Sequence, residues 1–510
     1  MASEPKSRLL LLLFLLALFG LASLIILPLP FLRDQGIYAY LAWAWVNDRI
    51  PYRDAFEHKG PLLYAVYAAA LSFSKGAMWG VNLADVLART SAVLLTYWAA
   101  RIVLEKRFAF TAAFFTALPL FAVFNSCWWN AEAETFMLPL LPLSLGLALG
   151  PGHSRRFLAG LVAAQTVALK PTAALHALFL CFPASTRPTG KRAGLSYSAG
   201  LLAGILPWLL YFASKGALAD LYSDLIRFNT FHAGLALGQE WTSALALFGK
   251  GTWIVSGLII LPAAAGLLDR RRLLLLGWTA QALAQVALQG KFFLYHWLVL
   301  IPPLALLAAG GVRWIHDNLH RSFFYLAWVL FLLQAARGLF FYALIQNHYQ
   351  TPQYLLGTVD RDQYYSRFRE PGTDFNFYAT WHVADYLRHH TAPSDTVLIF
   401  GYEPGINYLA SRFAPTRFHS DYPLTFTLAS VGARQWREQA RQIFMNDLEQ
   451  SPPRVILLVA GDQNALEEED SLTQAKNFPP FWEFLIENYQ PSVTIEDFHF
   501  YERHAHRRPD

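Results

Sequence analysis

Cysteine is almost missing from this chain. Cys127 and Cys181 are its only two in 510 residues, far apart and both in apolar or membrane-edge sequence, so no disulfide framework is implied. A glycine-rich phosphate cradle is missing as well. The nearest stretch, Gly401-Tyr402-Glu403-Pro404-Gly405, lacks the required spacing and reads as a strand-to-helix turn. There is no internal repeat, no low-complexity tract and no tight spacing of metal-ligand residues. Lys6 and Arg8 precede an apolar run as they would in a signal peptide. No small-residue cleavage site follows, and Pro28 and Pro30 come instead, which predicts an uncleaved first span with a cytoplasmic N-terminus.

Apolar sequence is what the chain has in quantity. It is 55% hydrophobic and 15% aromatic with a mean hydropathy of +0.29, and several runs reach the roughly 18 residues that a helix needs to cross hydrocarbon. The fold class expected is therefore a polytopic α-helical membrane protein. Short basic clusters at Lys106-Arg107, His153 to Arg156, Arg187 to Arg192, Asp269 to Arg272 and Arg313 to Arg321 mark cytoplasmic loops. Between them lie candidate spans at 9–32, 83–104, 108–124, 135–150, 157–169, 171–184, 194–213, 243–267, 273–289, 296–312 and 323–345, about eleven crossings. The net charge of +5 is accounted for by these anchors, so nucleic acid is not an expected partner.

From about 346 the long apolar runs stop. Helix-like Trp381 to His389 and Gln435 to Leu448 alternate with strand-like Thr396 to Phe400 and Arg454 to Val459, predicting an extracytoplasmic (periplasmic) α/β domain at 346–510 after a transmembrane domain at 1–345. Glu467-Glu468-Glu469-Asp470 reads as a solvated loop. One pair of spans is unusual. Phe157 to Leu169 and Pro171 to Ala184 are each about 14 residues, roughly 21 Å of helix against about 30 Å of hydrocarbon, so they predict a short hairpin or re-entrant loop tipped by Lys170-Pro171. An ammonium at that depth calls for an anionic or water-lined cavity.

The expected outer loops concentrate ionisable groups on one face. The first, from Arg33 to about Asn82, opens with Asp34 where the first span ends, continues through the amphipathic, interface-lying stretch Ile37 to Trp43, and carries Arg53, Glu57, His58 and Lys59 before an apolar helix from Pro61 to Phe73. The second holds Asn125, Asn130, Glu132 and Glu134. The third has Lys170, the fourth Asp220, Asp224, Arg227, Asn229 and His232, and the fifth Lys291, Tyr295 and His296. A general base needs a carboxylate within reach of an acceptor hydroxyl, and a departing phosphate needs Lys or Arg to take up its charge.

Asp34-Gln35-Gly36-Ile37-Tyr38-Ala39-Tyr40-Leu41-Ala42, Pro51-Tyr52-Arg53-Asp54 and His58-Lys59-Gly60-Pro61-Leu62-Leu63-Tyr64 resemble the first outer loop of bacterial GT-C glycosyltransferases of the protein O-mannosyltransferase and lipid A aminoarabinose transferase type. The resemblance continues in Asn130-Ala131-Glu132-Ala133-Glu134, in Lys170-Pro171 and in Gly290-Lys291-Phe292-Phe293-Leu294-Tyr295-His296. It implies a GT-C-like membrane domain, a polyprenyl-phosphate-linked sugar donor, transfer outside the cytoplasm at the inner membrane, Asp34 as the base and Lys59 near the lipid phosphate. Two positions depart from the family pattern: Gln35 stands where members commonly have a second acid, and Gly60 where many have proline.

The chemistry expected is a single inverting displacement. Asp34 deprotonates an acceptor hydroxyl on a lipid, glycan or protein, while Lys59, Lys170 and Arg53 stabilise the leaving phosphate. Glu57, His58, Glu132, Glu134, His232, Tyr295 and His296 are the candidates for sugar and acceptor binding. No cofactor is required. A divalent metal held by His58, His232 or His296 with Glu132 and Glu134 is the lesser alternative, and none is assigned. The rival functions are a lipid-linked sugar transporter or flippase, which would place polar groups at the bilayer midplane, and a noncatalytic glycan-binding membrane scaffold.

Overall fold

The computed structural model describes residues 6–124, 130–185, 190–236, 241–257, 259–269, 272–319, 349–369, 375–426, 430–463 and 467–504, with scattered positions between 322 and 336. The expected last span, 323–345, falls mostly outside these residues. The division at 345/346, Asn125 and Cys127 lie wholly outside them.

The first part is helical: α1 (Lys6–Ser23), α2 (Arg33–Val46), α3 (Pro61–Phe73), α4 (Trp79–Val103), α5 (Ala109–Pro119), α6 (Ala133–Leu149), α7 (His153–Leu169) and α8 (Ala174–Ser185), followed by helices to Asn318. Among the described residues Trp79–Val103, Gly194–Ser214 and Leu294–Asn318 are long and apolar enough to cross a membrane. Shorter apolar helices include Leu10–Ile26, Ala133–Leu149 and Leu273–Gln289. Leu195, Leu202, Leu206 and Leu210 stand exposed along one of the long helices, an outer surface that suits hydrocarbon and not water. The run expected as one span at 243–267 is instead two helices, Thr242–Ser256 and Ile260–Leu268, bent by 97°. Hydropathy reports composition and carries no information on direction.

α2 also departs from expectation. An amphipathic helix lying in the interface would leave one face open, yet Arg33, Gln35, Gly36, the whole of Ile37 to Ala42, and Ala44 are buried. Its small residues explain this. Ala39, Ala42 and Ala44 let neighbours approach around the helix, and Gly36 lets the helix Gly405–Ala410 come close: a Cβ on Gly36 would stand 2.9 Å from the Cα of Gly405.

The expected hairpin forms. α7 ends at Leu169, Lys170 is extended, and Pro171 opens the next turn, where its fixed φ and missing N–H are tolerated. Gly60 ties the first loop to this tip: its N–H donates to the Leu169 carbonyl at 3.0 Å, and a Cβ there would stand 2.1 Å from the Ala168 oxygen. Proline at this position would lack that donor. Gly60→Ala should therefore destabilise the protein by about 1–3 kcal/mol, since the loop must lift off the hairpin. Thermal unfolding in detergent reads the loss, and a wild-type profile would exclude this tie.

The C-terminal part is built on a four-stranded sheet in the order β1-β2-β4-β3: β1 (Val397–Phe400) parallel to β2 (Val455–Val459), then β4 (Phe498–Arg503) and β3 (Tyr489–Ile495) antiparallel. β1 and β2 match the strand-like stretches. β3 and β4 were not expected. Helices Phe377–His390 and Val431–Gln450 cover the sheet. Packing joins the two parts, since Phe56 of the first loop and Phe228 sit in the core under one sheet face. Likewise Val359, Tyr364 and Phe377 pack into the core of the membrane helices.

Candidate active site

A cavity of about 320 Å³ opens where α2, the Lys170 hairpin tip, the 225–232 segment and the 289–296 turn meet. Asp34, in the first turn of α2, lines it, and the Tyr295 hydroxyl donates to Asp34 Oδ2 at 3.2 Å. Lys59 and Lys170 line it as well, with His58, His232 and His296.

The remaining candidates stand behind this wall. Glu134 is buried and receives Lys170 Nζ at 2.6 Å. Glu57 Oε1 lies 2.8 Å from His58 Nδ1, while His58 Nε2 faces Lys59 Nζ at 3.1 Å. Glu132 is buried under α2, accepting from the Tyr38 hydroxyl at 3.3 Å and from Gln35 Nε2 at 3.5 Å. Burial and the ammonium of Lys59 hold His58 well below the ordinary histidine range, so its ring is neutral. Burial opposes charge on Lys59 too, but the carboxylates of Glu57 and Asp34 outweigh it and raise its value.

Gln35 explains itself locally. Its side-chain oxygen accepts from Leu32 N at 2.8 Å, and its amide nitrogen donates to the Asn130 carbonyl at 2.5 Å. An acid there would lose that donation and face Glu132 with like charge. Among the described residues no group of three His, Cys, Asp or Glu side chains is arranged to hold a metal ion. The residue pair 34–35 thus offers one carboxylate and one amide.

Arg53 is not brought to the cavity. Tyr52 takes a left-handed backbone (φ 70°), and Arg53 turns outward to pair with Asp54 at 2.8 Å and donate to the Lys215 carbonyl at 3.0 Å. Two residues without an assigned role are brought in. Lys291 lines the cavity with its Nζ 2.8 Å from His232 Nδ1, and Tyr402 reaches it from the end of β1. Lys291 stands four positions before Tyr295 in the same expected outer loop and was legible from that placement. Tyr402 was not, because its turn carries no pattern pointing to a site. Burial and the Asp34 charge raise the Tyr402 phenol well above its usual value, which keeps it a hydrogen-bond donor.

The start of α2 is held from the C-terminal part: Arg33 Nε donates to Glu403 Oε1 at 3.0 Å, with both side chains buried. Asp34 is therefore positioned by its neighbour's ion pair as well as by Tyr295.

The chain has the GT-C fold of membrane glycosyltransferases. ArnT from Cupriavidus metallidurans bound to undecaprenyl phosphate matches with a TM-score of 0.60 at 12% identity, over 99% of this chain and 99% of that one. Its apo form matches with the same TM-score over 97% and 98%. The arabinofuranosyltransferase AftD from Mycobacteria matches with a TM-score of 0.50 at 13% identity, over 99% of this chain and 40% of that chain. At these identities the likeness is one of fold. No protein-family model matches the chain, and no curated protein matches its sequence.

Proposed function

We propose that this protein is a membrane glycosyltransferase that moves a sugar from a polyprenyl-phosphate donor to a hydroxyl acceptor on the extracytoplasmic face. The observation that carries the reading is one cavity holding a carboxylate, Asp34, and the lysines Lys59 and Lys170. The carboxylate accepts the acceptor's proton, the hydroxyl oxygen attacks the anomeric carbon, and the bond to the phosphate oxygen breaks with its electron pair left on the phosphate. The ammonium groups take up that charge as it develops. The acceptor approaches from the Asp34 side and the phosphate leaves toward the lysines, so one displacement inverts the configuration. Likeness of fold to a protein solved with undecaprenyl phosphate supports the donor class. Arg53, turned outward to Asp54, has no part in this reading.

Purified protein given a polyprenyl-phosphate-linked sugar and a hydroxyl acceptor should release polyprenyl phosphate and form a glycoside of opposite anomeric configuration. Proton NMR of the product reads the configuration. Retention would remove the single-displacement reading, and no release with any acceptor class would remove the enzyme.

A further inference from the structure

The cavity's lysines are not equivalent. Lys170 is neutralised by Glu134 at 2.6 Å, but among the described residues neither Lys59 nor Lys291 has a carboxylate at ion-pair distance. Each is held by a histidine nitrogen instead: Lys59 Nζ by His58 Nε2 at 3.1 Å, and Lys291 Nζ by His232 Nδ1 at 2.8 Å. The two histidine rings lie 5.0 Å apart, and Phe228 packs against both. His58 is fixed from behind by Glu57, while the Tyr422 hydroxyl stands 2.8 Å from the same His232 Nδ1 that Lys291 faces and shares its single lone pair. An imidazole nitrogen that accepts from an ammonium is unprotonated, so it orients the lysine without cancelling its charge. One of three N–H bonds is used in this way, and two remain for a ligand.

We propose that Lys59 and Lys291 form a two-cation clasp on the phosphate of the lipid-linked donor, with Lys291 held in place by His232 and Tyr422. This deepens the proposed function and rests on it. In the bound donor the phosphodiester carries one negative charge and Asp34 another. On transfer the proton moves from the acceptor to Asp34, and the electron pair of the broken bond stays on the phosphate, which ends as a dianion. The negative charge leaves Asp34 and arrives on the phosphate, so a second cation facing that phosphate favours the products of the step.

Among the described residues the partner of Lys291 Nζ is an uncharged nitrogen, His232 Nδ1. Burial, then Lys59 and Lys170, hold Lys291 well below the usual lysine range, with Asp34 acting the other way. The other groups facing it are His232, Tyr422, His296 and Tyr295. A phosphate between the lysines is an anion that raises Lys291 from its depressed value, so binding is accompanied by proton uptake at Lys291 wherever the pH lies between its free and bound values.

The test is calorimetry of undecaprenyl phosphate binding to the full chain in detergent at about pH 8, where a phosphate monoester is already doubly ionised, in two buffers of different ionisation enthalpy. With the titrations repeated from about pH 8 to about pH 10, across the range below the ordinary lysine value, wild type should take up a proton on binding within that range. Lys291→Met should bind about tenfold to a hundredfold more weakly with no uptake. Lys291→Arg, permanently charged, should bind with much of the wild-type affinity and also without uptake. Undiminished binding and unchanged uptake in both variants would overturn the clasp. Failure of wild type itself to bind would instead overturn the donor assignment on which it rests.

Discussion

Asp34→Asn should leave donor binding intact and reduce transfer by about 100-fold or more, the usual effect of losing a general base. The amide preserves shape, and its oxygen still accepts from the Tyr295 hydroxyl that holds Asp34 at 3.2 Å. What it loses is the capacity to receive a proton. Purified variant and wild type are compared with a radiolabelled polyprenyl-phosphate sugar, with lipid binding measured in parallel. Near-normal turnover would dismiss Asp34 as the base, whereas loss of both binding and turnover would mean that its charge serves the architecture.

Lys170→Ala should damage stability and donor use together. It leaves Glu134, which has no exposed side-chain surface, as an unpaired charge where Lys170 now sits at 2.6 Å. Breaking such a buried pair typically costs about 3–5 kcal/mol. The double variant Lys170→Met, Glu134→Gln removes both charges and should regain most of the unfolding temperature without regaining donor affinity. Recovery of both would show that Lys170 serves only to neutralise Glu134. Lys170→Arg keeps the charge in another geometry and should rescue donor use only partly.

The residues that line the cavity were legible to the extent that chemistry and chain order coincide. Asp34, His58, Lys59, Lys170, His232, Tyr295 and His296 come from loops that charge placement put on one face, and the fold brings them to one cavity. Arg53 belonged to the same reading by sequence proximity alone. A left-handed residue at Tyr52 and a carboxylate one position on send it elsewhere, and neither leaves a trace in composition. Tyr402 and Tyr422 were out of reach for the opposite reason, since only tertiary packing carries the C-terminal sheet to the cavity. β3 was hidden by Pro491 and its exposed polar residues, while the alternation of Phe498 and Phe500 in β4 was there to be read.

The Arg33–Glu403 pair joins residues 370 positions apart, directly beside the Asp34 carboxylate. A ribosome adding about 5–20 residues per second needs roughly 20–70 s between exposing the first partner and the second. During that interval α2 has neither its ion pair nor the Gly405 backbone against which Gly36 packs, and Tyr402 does not exist. The membrane helices can be inserted while the chain still lacks a finished reaction centre. Under the proposed function, a nascent or truncated chain would be inert toward a lipid-linked sugar, and transfer would begin only when the last segment folds onto the membrane part.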